Sequence, residues 1–444
     1  MRPRFQPWEP LIFTPDAASA LAGPDWLRAR RTAAAERFAA LSLPSEAEEI
    51  WRYSRISDLD LDQFAPAGPE FDGPEFDGPR PGGRVPPALE QVIEAAGPLA
   101  ACVIVRNGAV AHVTCDVDWA GRGLAVGSIA NVADLGEGDD ILGSVAPSST
   151  DAFTELNTAF LPGAAVVRVK PGLVVDKPVL VVHWLDGEGV AAFPRTIVQA
   201  GADSELTVVE HQASADVRMV VDSVVELDVG DAARVKYLNV QDLGARVWQI
   251  GYQASRVGRD ATLNSAVVAL GGDYARVRTD SSITGKGGQS YLNAVYFADG
   301  ARMHDFRTLQ DHAAPNSTSD LLFKGAVQDR GRSVYSGLIR VRKEAPGTNA
   351  YQTNRNLVLS EGASAESVPN LEIETNDVKC SHASAVGPID EEHLYYLESR
   401  GVPPGAAERL IVLGFFGDVL DKLPSPKLVA SIKAAVAERL AREH

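Results

Sequence analysis

The residues best placed to do chemistry are a cysteine and a histidine two positions apart, Cys380 and His382, in the segment NDVKCSHA. Side chains two residues apart in an extended segment point to the same side, so a thiolate and an imidazole can approach one soft or borderline metal ion. Two protein ligands are too few to close a metal site. A metal held here needs ligands from elsewhere in the chain or from another chain. The alternative is a buried cysteine beside a hydrogen-bonded histidine.

Two further histidines, His304 and His312, flank an aspartate-containing segment that runs on to Asn316, Ser317 and Thr318. The sequence favours surface or turn positions for both histidines over a metal-binding role. The other two cysteines, Cys102 and Cys115, have apolar neighbours, which is typical of inert buried thiols. The segment NDVKCSHA therefore carries the one candidate ligand thiol of the chain.

The usual enzyme signatures are absent from the sequence. Without a Walker A phosphate loop, the chain is not expected to be a P-loop ATPase. It also lacks a G-x-G-x-x-G after a strand, H-E-x-x-H, G-x-S-x-G and paired cysteines at zinc-finger spacing. An enzyme with a groove active site stays open as an alternative, because Glu372, Glu374 and Asp377 fall close together in one segment. Such an enzyme would need an acid–base pair of carboxylates facing one groove.

The charge balance of the 444 residues is acidic, with 42 Lys and Arg against 59 Asp and Glu and a formal net charge of −17. Such a surface repels phosphate backbones, so we expect no nucleic-acid partner. The cluster Arg28, Arg30 and Arg31 forms no basic patch, since it falls on one short predicted helix among alanines.

Cysteine usage and hydropathy indicate the cellular compartment in which the protein is expected. Three cysteines, an odd number, do not fit a secreted disulfide scaffold and suit a reducing cytosol, so we expect a cytoplasmic protein. No run of about 18 uninterrupted apolar residues occurs, and the N-terminal residues lack the apolar segment of a secretion signal. We therefore expect no membrane association.

Composition divides the chain into five regions. They are a helical region at 1–64, a Pro/Gly-rich linker at 65–88, a mixed α/β region at 89–160, a β core at 161–388 and a helical domain at 389–444. The linker contains the near duplication FDGPEFDGPRPGG, which cannot bury an apolar face. In the last region, Pro and Gly residues separate three helical patterns.

Turn glycines recur in the β core at nearly constant spacing. One set is separated by 29, 28 and 29 residues and a second by 31 and 31: Gly201, Gly230, Gly258 and Gly287, then Gly300, Gly331 and Gly362. Strand-like alternation fills the intervals, and no helical pattern interrupts it. This spacing predicts coils stacked into a β-solenoid. A large β-sandwich is the alternative, although its turns recur every ~8–12 residues.

Three long segments also carry a family resemblance. They are SEAEEIWRYSRI near the N-terminus, PNSTSDLLFKGAVQDRGRSVYSGLIRV in the β core, and AYQTNRNLVLSEGASAESVPNLEIETNDVKCSHASAVGPIDEEHLYYLESRG with GFFGDVL after it. These segments resemble the N-terminal motif, core and C-terminal signature of the SufB/SufD proteins of the SUF iron–sulfur cluster assembly system. CSHA and SRG are similar to the SufD branch of the family rather than to SufB.

The resemblance implies an architecture and a set of partners. The fold would be mainly β, a right-handed parallel β-helix flanked by N-terminal and C-terminal helical domains. The chain would be a non-enzymatic scaffold that pairs with SufB through the edge of its β-helix and docks the ATPase SufC with its C-terminal helices. ATP hydrolysis would belong to SufC. A homodimer formed through the same edge is the alternative when SufB is missing.

The resemblance also implies roles for individual residues. His382 matches a family histidine that helps to form a metal or cluster-assembly site at the SufB–SufD interface, and Cys380 is a weaker candidate there. The interfacial cysteine of SufB falls at about Arg355, so this chain does not supply that thiolate. We expect no cofactor held stably by the isolated chain, and iron or an iron–sulfur cluster held transiently by the complex, for which reduced flavin is a further candidate. A neutral His382 imidazole as ligand predicts weaker assembly in acid.

Overall fold

The computed structural model describes residues 12–67, 87–130, 138–424 and 426–441. The chain is mainly β, a β-solenoid of about 8 turns with helices at its N-terminal and C-terminal ends. The predicted fold class is thereby confirmed. Most of the predicted linker at 65–88 lies outside the described residues.

Nine helices occur in the described part of the chain. They are α1 (Pro15–Ser19), α2 (Asp25–Ala39), α3 (Pro87–Ala96), α4 (Val117–Arg122), α5 (Gly138–Ile141), α6 (Ala152–Phe160), α7 (Glu391–Ser399), α8 (Pro404–Leu420) and α9 (Pro426–Leu440). Short 3₁₀ turns lie at Glu49–Trp51, Ile56–Asp58, Leu61–Gln63 and Ser148–Thr150. None of these described helices has the length and apolar character required to cross a membrane.

The strands belong to two facing sheets, and from the eighth strand onward the chain alternates between them. They are β1 (Ala65–Pro66), β2 (Ala101–Arg106), β3 (Ala109–Cys115), β4 (Leu124–Ser128), β5 (Ala165–Val169), β6 (Val179–Leu185), β7 (Val190–Ala192), β8 (Arg195–Ala200), β9 (Glu205–Ser214), β10 (Met219–Val229), β11 (Arg234–Asp242), β12 (Val247–Val257), β13 (Thr262–Ala269), β14 (Tyr274–Ile283), β15 (Gln289–Ala298), β16 (Met303–His312), β17 (Thr318–Val327), β18 (Arg332–Val341), β19 (Thr348–Val358), β20 (Ser364–Ile373) and β21 (Val378–Gly387).

The order of the strands shows how the coils stack. The first sheet runs β4-β5-β8-β10-β12-β14-β16-β18-β20, with β7 beside β10 and β1 beside β7, and the second runs β3-β2-β6-β9-β11-β13-β15-β17-β19-β21. From β8 and β9 onward every pairing in this order is parallel, so each coil lies on the preceding one. The strands β20 and β21 form the last coil, and we call its uncovered side the open end.

The first strands of the mixed region belong to the same two sheets. Strand β2 pairs in parallel with β6, and β3 and β4 add antiparallel strands at the opposite end from β20 and β21. The sheets therefore extend upstream of residue 161, the boundary predicted from composition. Strand direction reverses at this end of the sheets, whereas the last coil continues the parallel pairing.

The regular glycine spacing has a steric cause. A Cβ atom on Gly230 would lie 2.7 Å from the carbonyl oxygen of Ala200, and one on Gly331 would lie 2.2 Å from the carbonyl oxygen of Ala298. Both contacts are with the turn of the preceding coil, so only glycine allows the coils to stack this closely. Gly287 and Gly300 are needed for a different reason, because their φ values of +73° and +61° place them in the left-handed region.

His304 and His312 are interior residues, so the prediction of surface or turn positions was wrong. Both lie on β16, where alternation directs them between the two sheets, and both are fully buried. The two ring nitrogens of His312 lie 2.7 and 2.8 Å from the hydroxyls of Ser317 and Ser319. Burial lowers the pKa of each histidine to about 4, so both are neutral at pH 7.

The N-terminal helices are tied to the solenoid by a buried arginine. Arg31 on α2 donates hydrogen bonds to four backbone carbonyl oxygens, those of Leu21, Ala22, Leu161 and Pro162. Burial lowers the pKa of its guanidinium to about 10. This member of the arginine cluster is therefore a structural cross-link and is unavailable to a nucleic acid.

The C-terminal helices α8 and α9 cover the outer face of the second sheet. Apolar residues of both helices, among them Phe416 and Ile432, share one buried cluster with Val268 and Phe297 of the sheet. A charged contact fixes α8 in place, because the Lys324 ammonium on β17 donates to the Asp418 carboxylate at 2.6 Å and to the carbonyl oxygen of Phe415 at 2.8 Å. Helix α7, in contrast, has no buried residue.

Candidate functional site

Cys380 and His382 both lie on β21, the last strand of the second sheet. Two-residue spacing in a strand places them on the same face, as the sequence indicated. The face is the inner one, because Cys380 packs against the buried cluster of Ile339, Val341, Ala345 and Ala350. His382 is exposed to solvent. The histidine is therefore the more accessible of the two candidate ligands.

The surroundings of Cys380 favour its protonated form. The thiol is half-buried, and burial raises its pKa above the ordinary value. A thiol of this kind is a weak nucleophile and becomes a metal ligand only when a metal ion displaces its proton. The geometry thus ranks His382 above Cys380 as a first point of attachment for a metal ion.

The open end carries apolar side chains that nothing covers in the described part of the chain. Leu371 lies next to Ile339 in the register of the first sheet, and Ile373 lies next to Val341. Those two partners are fully buried, whereas Leu371 and Ile373 are 37% and 42% exposed. The last coil therefore exposes inner-face apolar side chains and the backbone edges of β20 and β21. Such a surface is suited to strand pairing with another molecule.

Arg355 occupies the opposite face of the second sheet from His382. Its neighbours Asn354 and Asn356 are buried, whereas Arg355 is exposed on the outer face. In register it lies next to Lys324, which hydrogen-bonds to α8 and lowers the pKa of Asp418. This position therefore faces the C-terminal helices and not the inner face with His382.

The described residues do not assemble a complete metal site. No group of three or more His, Cys, Asp or Glu side chains there has a geometry that would hold a metal ion. Of the carboxylates considered for a groove enzyme, Glu372 is paired with Arg340 at 3.0 Å. A metal bound at His382 thus needs ligands from outside this set.

One residue next to His382 was missed by sequence reasoning. Gln352 on β19 lies directly beside His382 in the parallel register of the second sheet. The spacing of the coils could have identified Gln352, because it lies one coil before His382 in the sequence. Applying that period to side chains requires the strand register, which glycine spacing alone does not give.

The fold and the site define a class of protein, a parallel β-solenoid whose last coil is uncovered in the described part of the chain and carries Cys380 and His382 on one face. The family model described as SUF system FeS cluster assembly, SufBD core domain, matches residues 183–415. The chain therefore belongs to the SufB/SufD family of iron–sulfur cluster assembly proteins, as the resemblance of its motifs predicted.

Three relatives illustrate the similarity. An iron-sulfur cluster assembly SufBD family protein of Mycobacterium tuberculosis is 37% identical over 315 residues, or 69% of this chain and 76% of that protein. The iron-sulfur cluster assembly protein SufD of Escherichia coli is 29% identical over 307 residues, or 68% and 73%. SufD of Bacillus subtilis is 30% identical over 275 residues, or 61% and 63%.

Proposed function

We propose that this chain is a non-enzymatic scaffold subunit of a SUF assembly complex. It pairs with SufB through the open end, docks the ATPase SufC with its C-terminal helices, and supplies His382 to a cluster-assembly site formed between the two solenoids. The observation that carries this proposal is an exposed histidine on an uncapped coil whose own chain, in its described part, offers too few ligands for a metal ion.

The apolar residues of the open end support pairing with a second solenoid. A partner with a matching last coil would continue the backbone pairing of β20 and β21 and cover Leu371 and Ile373. The same contact would bring the partner's side chains to His382 and Cys380. Iron and sulfide are then cargo of the assembled complex, and reduced flavin stays a prediction for that complex.

The exposed part of the C-terminal helices supports docking of SufC. The inward faces of α8 and α9 are used to cover the second sheet, so a partner must bind elsewhere on this domain. Helix α7 offers Tyr395 and Tyr396, which are 74% and 57% exposed. Exposed tyrosines of this kind are enriched in the centres of protein interfaces.

Replacing His382 by alanine is expected to reduce cluster loading of the reconstituted complex by at least tenfold, because the imidazole is one of its few ligands. The measurement is the iron and acid-labile sulfide retained after anaerobic reconstitution with SufB and SufC. Lys379→Ala, at an exposed position on the opposite face of β21, is the matched control and should load normally. Normal loading of the His382→Ala complex would show that the proposed role is wrong.

Replacing Tyr395 and Tyr396 together by alanine is expected to weaken SufC binding at least tenfold while leaving the solenoid folded, because neither side chain is buried. The measurement is the dissociation constant for purified SufC. Tyr53→Ala, at an exposed tyrosine of the N-terminal region, is the control. Point variants are preferable to deletion of residues 403–444, which would uncover the apolar outer face of the second sheet. Unchanged SufC affinity of the double variant would exclude this docking surface.

A further inference from the structure

We propose that Gln352 is a positioning residue for His382, whose amide holds the imidazole in one tautomer with the other ring nitrogen directed out of the open end. The inference rests on the proposed function in one respect, since it takes His382 to be a metal ligand. The proposed hydrogen bond would join two residues of this chain, and it is not formed in the side-chain conformations of this structure.

Register and alternation bring the two side chains together. Gln352 and His382 are direct partners in the parallel pairing of β19 with β21. Adjacent strands lie about 4.8 Å apart, and paired residues project to the same face of a sheet. That face is the inner one, because Gln352 is only 1% exposed and Cys380, two residues before His382, packs against inner-face residues.

The amide of Gln352 lacks the partners that its burial demands. Neither its Nε2 nor its Oε1 atom has a hydrogen-bond partner among the described residues. A buried amide without partners is costly, so native structures pair such groups with another side chain or with ordered water. Space for the amide comes from Gly337 on the facing sheet, where an added Cβ would lie 2.7 Å from Gln352 Nε2.

His382 is the next residue along the same column of side chains, and it can satisfy the amide. A neutral imidazole has one N–H donor and one acceptor, and a glutamine amide offers the complementary acceptor and donors. Histidines that bind metals regularly donate their second N–H to a carbonyl or carboxylate, and this contact fixes the tautomer and the ring orientation. Gln352 supplies such a carbonyl without adding charge to the open end.

The test begins with nuclear magnetic resonance of the full chain carrying histidine labelled with ¹⁵N and ¹³C, at a pH where the ring is neutral. The chain has 8 histidines, and the signal absent from His382→Ala identifies the relevant ring. We expect one dominant tautomer in the wild type and a mixture in Gln352→Met, which keeps the side-chain length but loses the amide. Gln352→Glu retains an acceptor and should keep the single tautomer.

Gln310 provides a matched control variant. It is fully buried on β16 with neither amide atom hydrogen-bonded among the described residues, but it does not neighbour His382. Gln310→Met should therefore leave the His382 tautomer unchanged, whereas a general effect of losing an interior amide would alter it in both variants. In the reconstituted complex, Gln352→Met should weaken retention of ferrous iron by 10–100-fold, the usual effect of losing such a support.

The outcomes separate this inference from the proposed function. Mixed tautomers in the wild type, or an unchanged single tautomer in Gln352→Met, would overturn the positioning role regardless of cluster loading. The wild-type measurement needs no substitution, so the inference stays testable even if Gln352→Met fails to fold. Normal loading of His382→Ala would instead overturn the proposed function and leave the tautomer result standing.

Discussion

Replacement of Leu371 by aspartate is expected to weaken association with SufB by at least a hundredfold. Leu371 is an inner-face residue of the last coil, 37% exposed in the isolated chain, and its neighbour Ile339 is fully buried. Pairing at the open end would remove Leu371 from water, and an aspartate there would be buried without a partner charge. A cost of about 3 kcal/mol or more corresponds to that loss of affinity.

The measurement is the dissociation constant of the purified chains, with gel filtration in the presence and absence of SufB. Val117→Asp is the matched control, since Val117 is an 81% exposed apolar residue on α4, far from the open end in sequence and in strand order. A homodimer built through the same edge would also be lost in Leu371→Asp. Unchanged association of Leu371→Asp with SufB would show that pairing does not use the open end.

The second large effect expected is loss of stability in mild acid. His304 and His312 are buried and neutral, with pKa values lowered to about 4 in the folded chain against an ordinary value of 6.5. Their contribution to stability is complete above pH 6.5 and falls as the pH approaches 4, because the unfolded chain takes up protons that the folded chain resists. Each histidine costs roughly 3 kcal/mol at pH 4, and the two together approach the ~5–15 kcal/mol stability of ordinary domains.

Urea unfolding at a series of pH values tests this expectation. His304→Phe replaces an aromatic ring among Tyr296 and Phe306 and removes one titrating group, so its unfolding free energy should depend less steeply on pH between 6.5 and 4. His393→Phe, at an exposed position, should keep the wild-type dependence. Both variants retain every carboxylate of the chain, so the difference between them reports on His304. Identical pH dependence in His304→Phe and the wild type would contradict the burial argument.

The first prediction concerns the open end of the solenoid, and the second concerns the interior of its coils. The interior of the coils is closed, and its polar groups are kept neutral or hydrogen-bonded, as His312 is with Ser317 and Ser319. The last coil is left open, with apolar residues and His382 at the same surface. In the proposed function, the stacked coils stabilise the chain, and His382 acts where the stacking ends.

Local patterns in the sequence were sufficient to predict the stacked coils. Glycines such as Gly258 and Gly331 recur because each coil must approach the previous one closely at a turn. This steric requirement can be recognised from the residue type and its spacing. The same-side placement of Cys380 and His382 follows from strand alternation over two residues. The proposal that a metal bound at His382 takes ligands from a partner followed from the scarcity of cysteine.

Features that depend on contacts between distant residues were not accessible in this way. His304 and His312 look like polar residues of a loop until β16 is placed between β14 and β18, where alternation makes them interior residues. The early strands β2, β3 and β4 join the sheets through pairings that composition does not reveal. Gln352 becomes a neighbour of His382 only once the register of β19 and β21 is known.

The sequence by itself determined the coil period, the helical ends, the family and the residue pair that could bind a metal, because each depends on residue types at short spacing. Only the tertiary structure decided which coil is last, which side chains it leaves uncovered, and that Arg355 faces α8 while His382 occupies the inner face. Those outcomes depend on strand register and on the packing of α8 and α9, which are set by the summed burial of residues far apart in the chain.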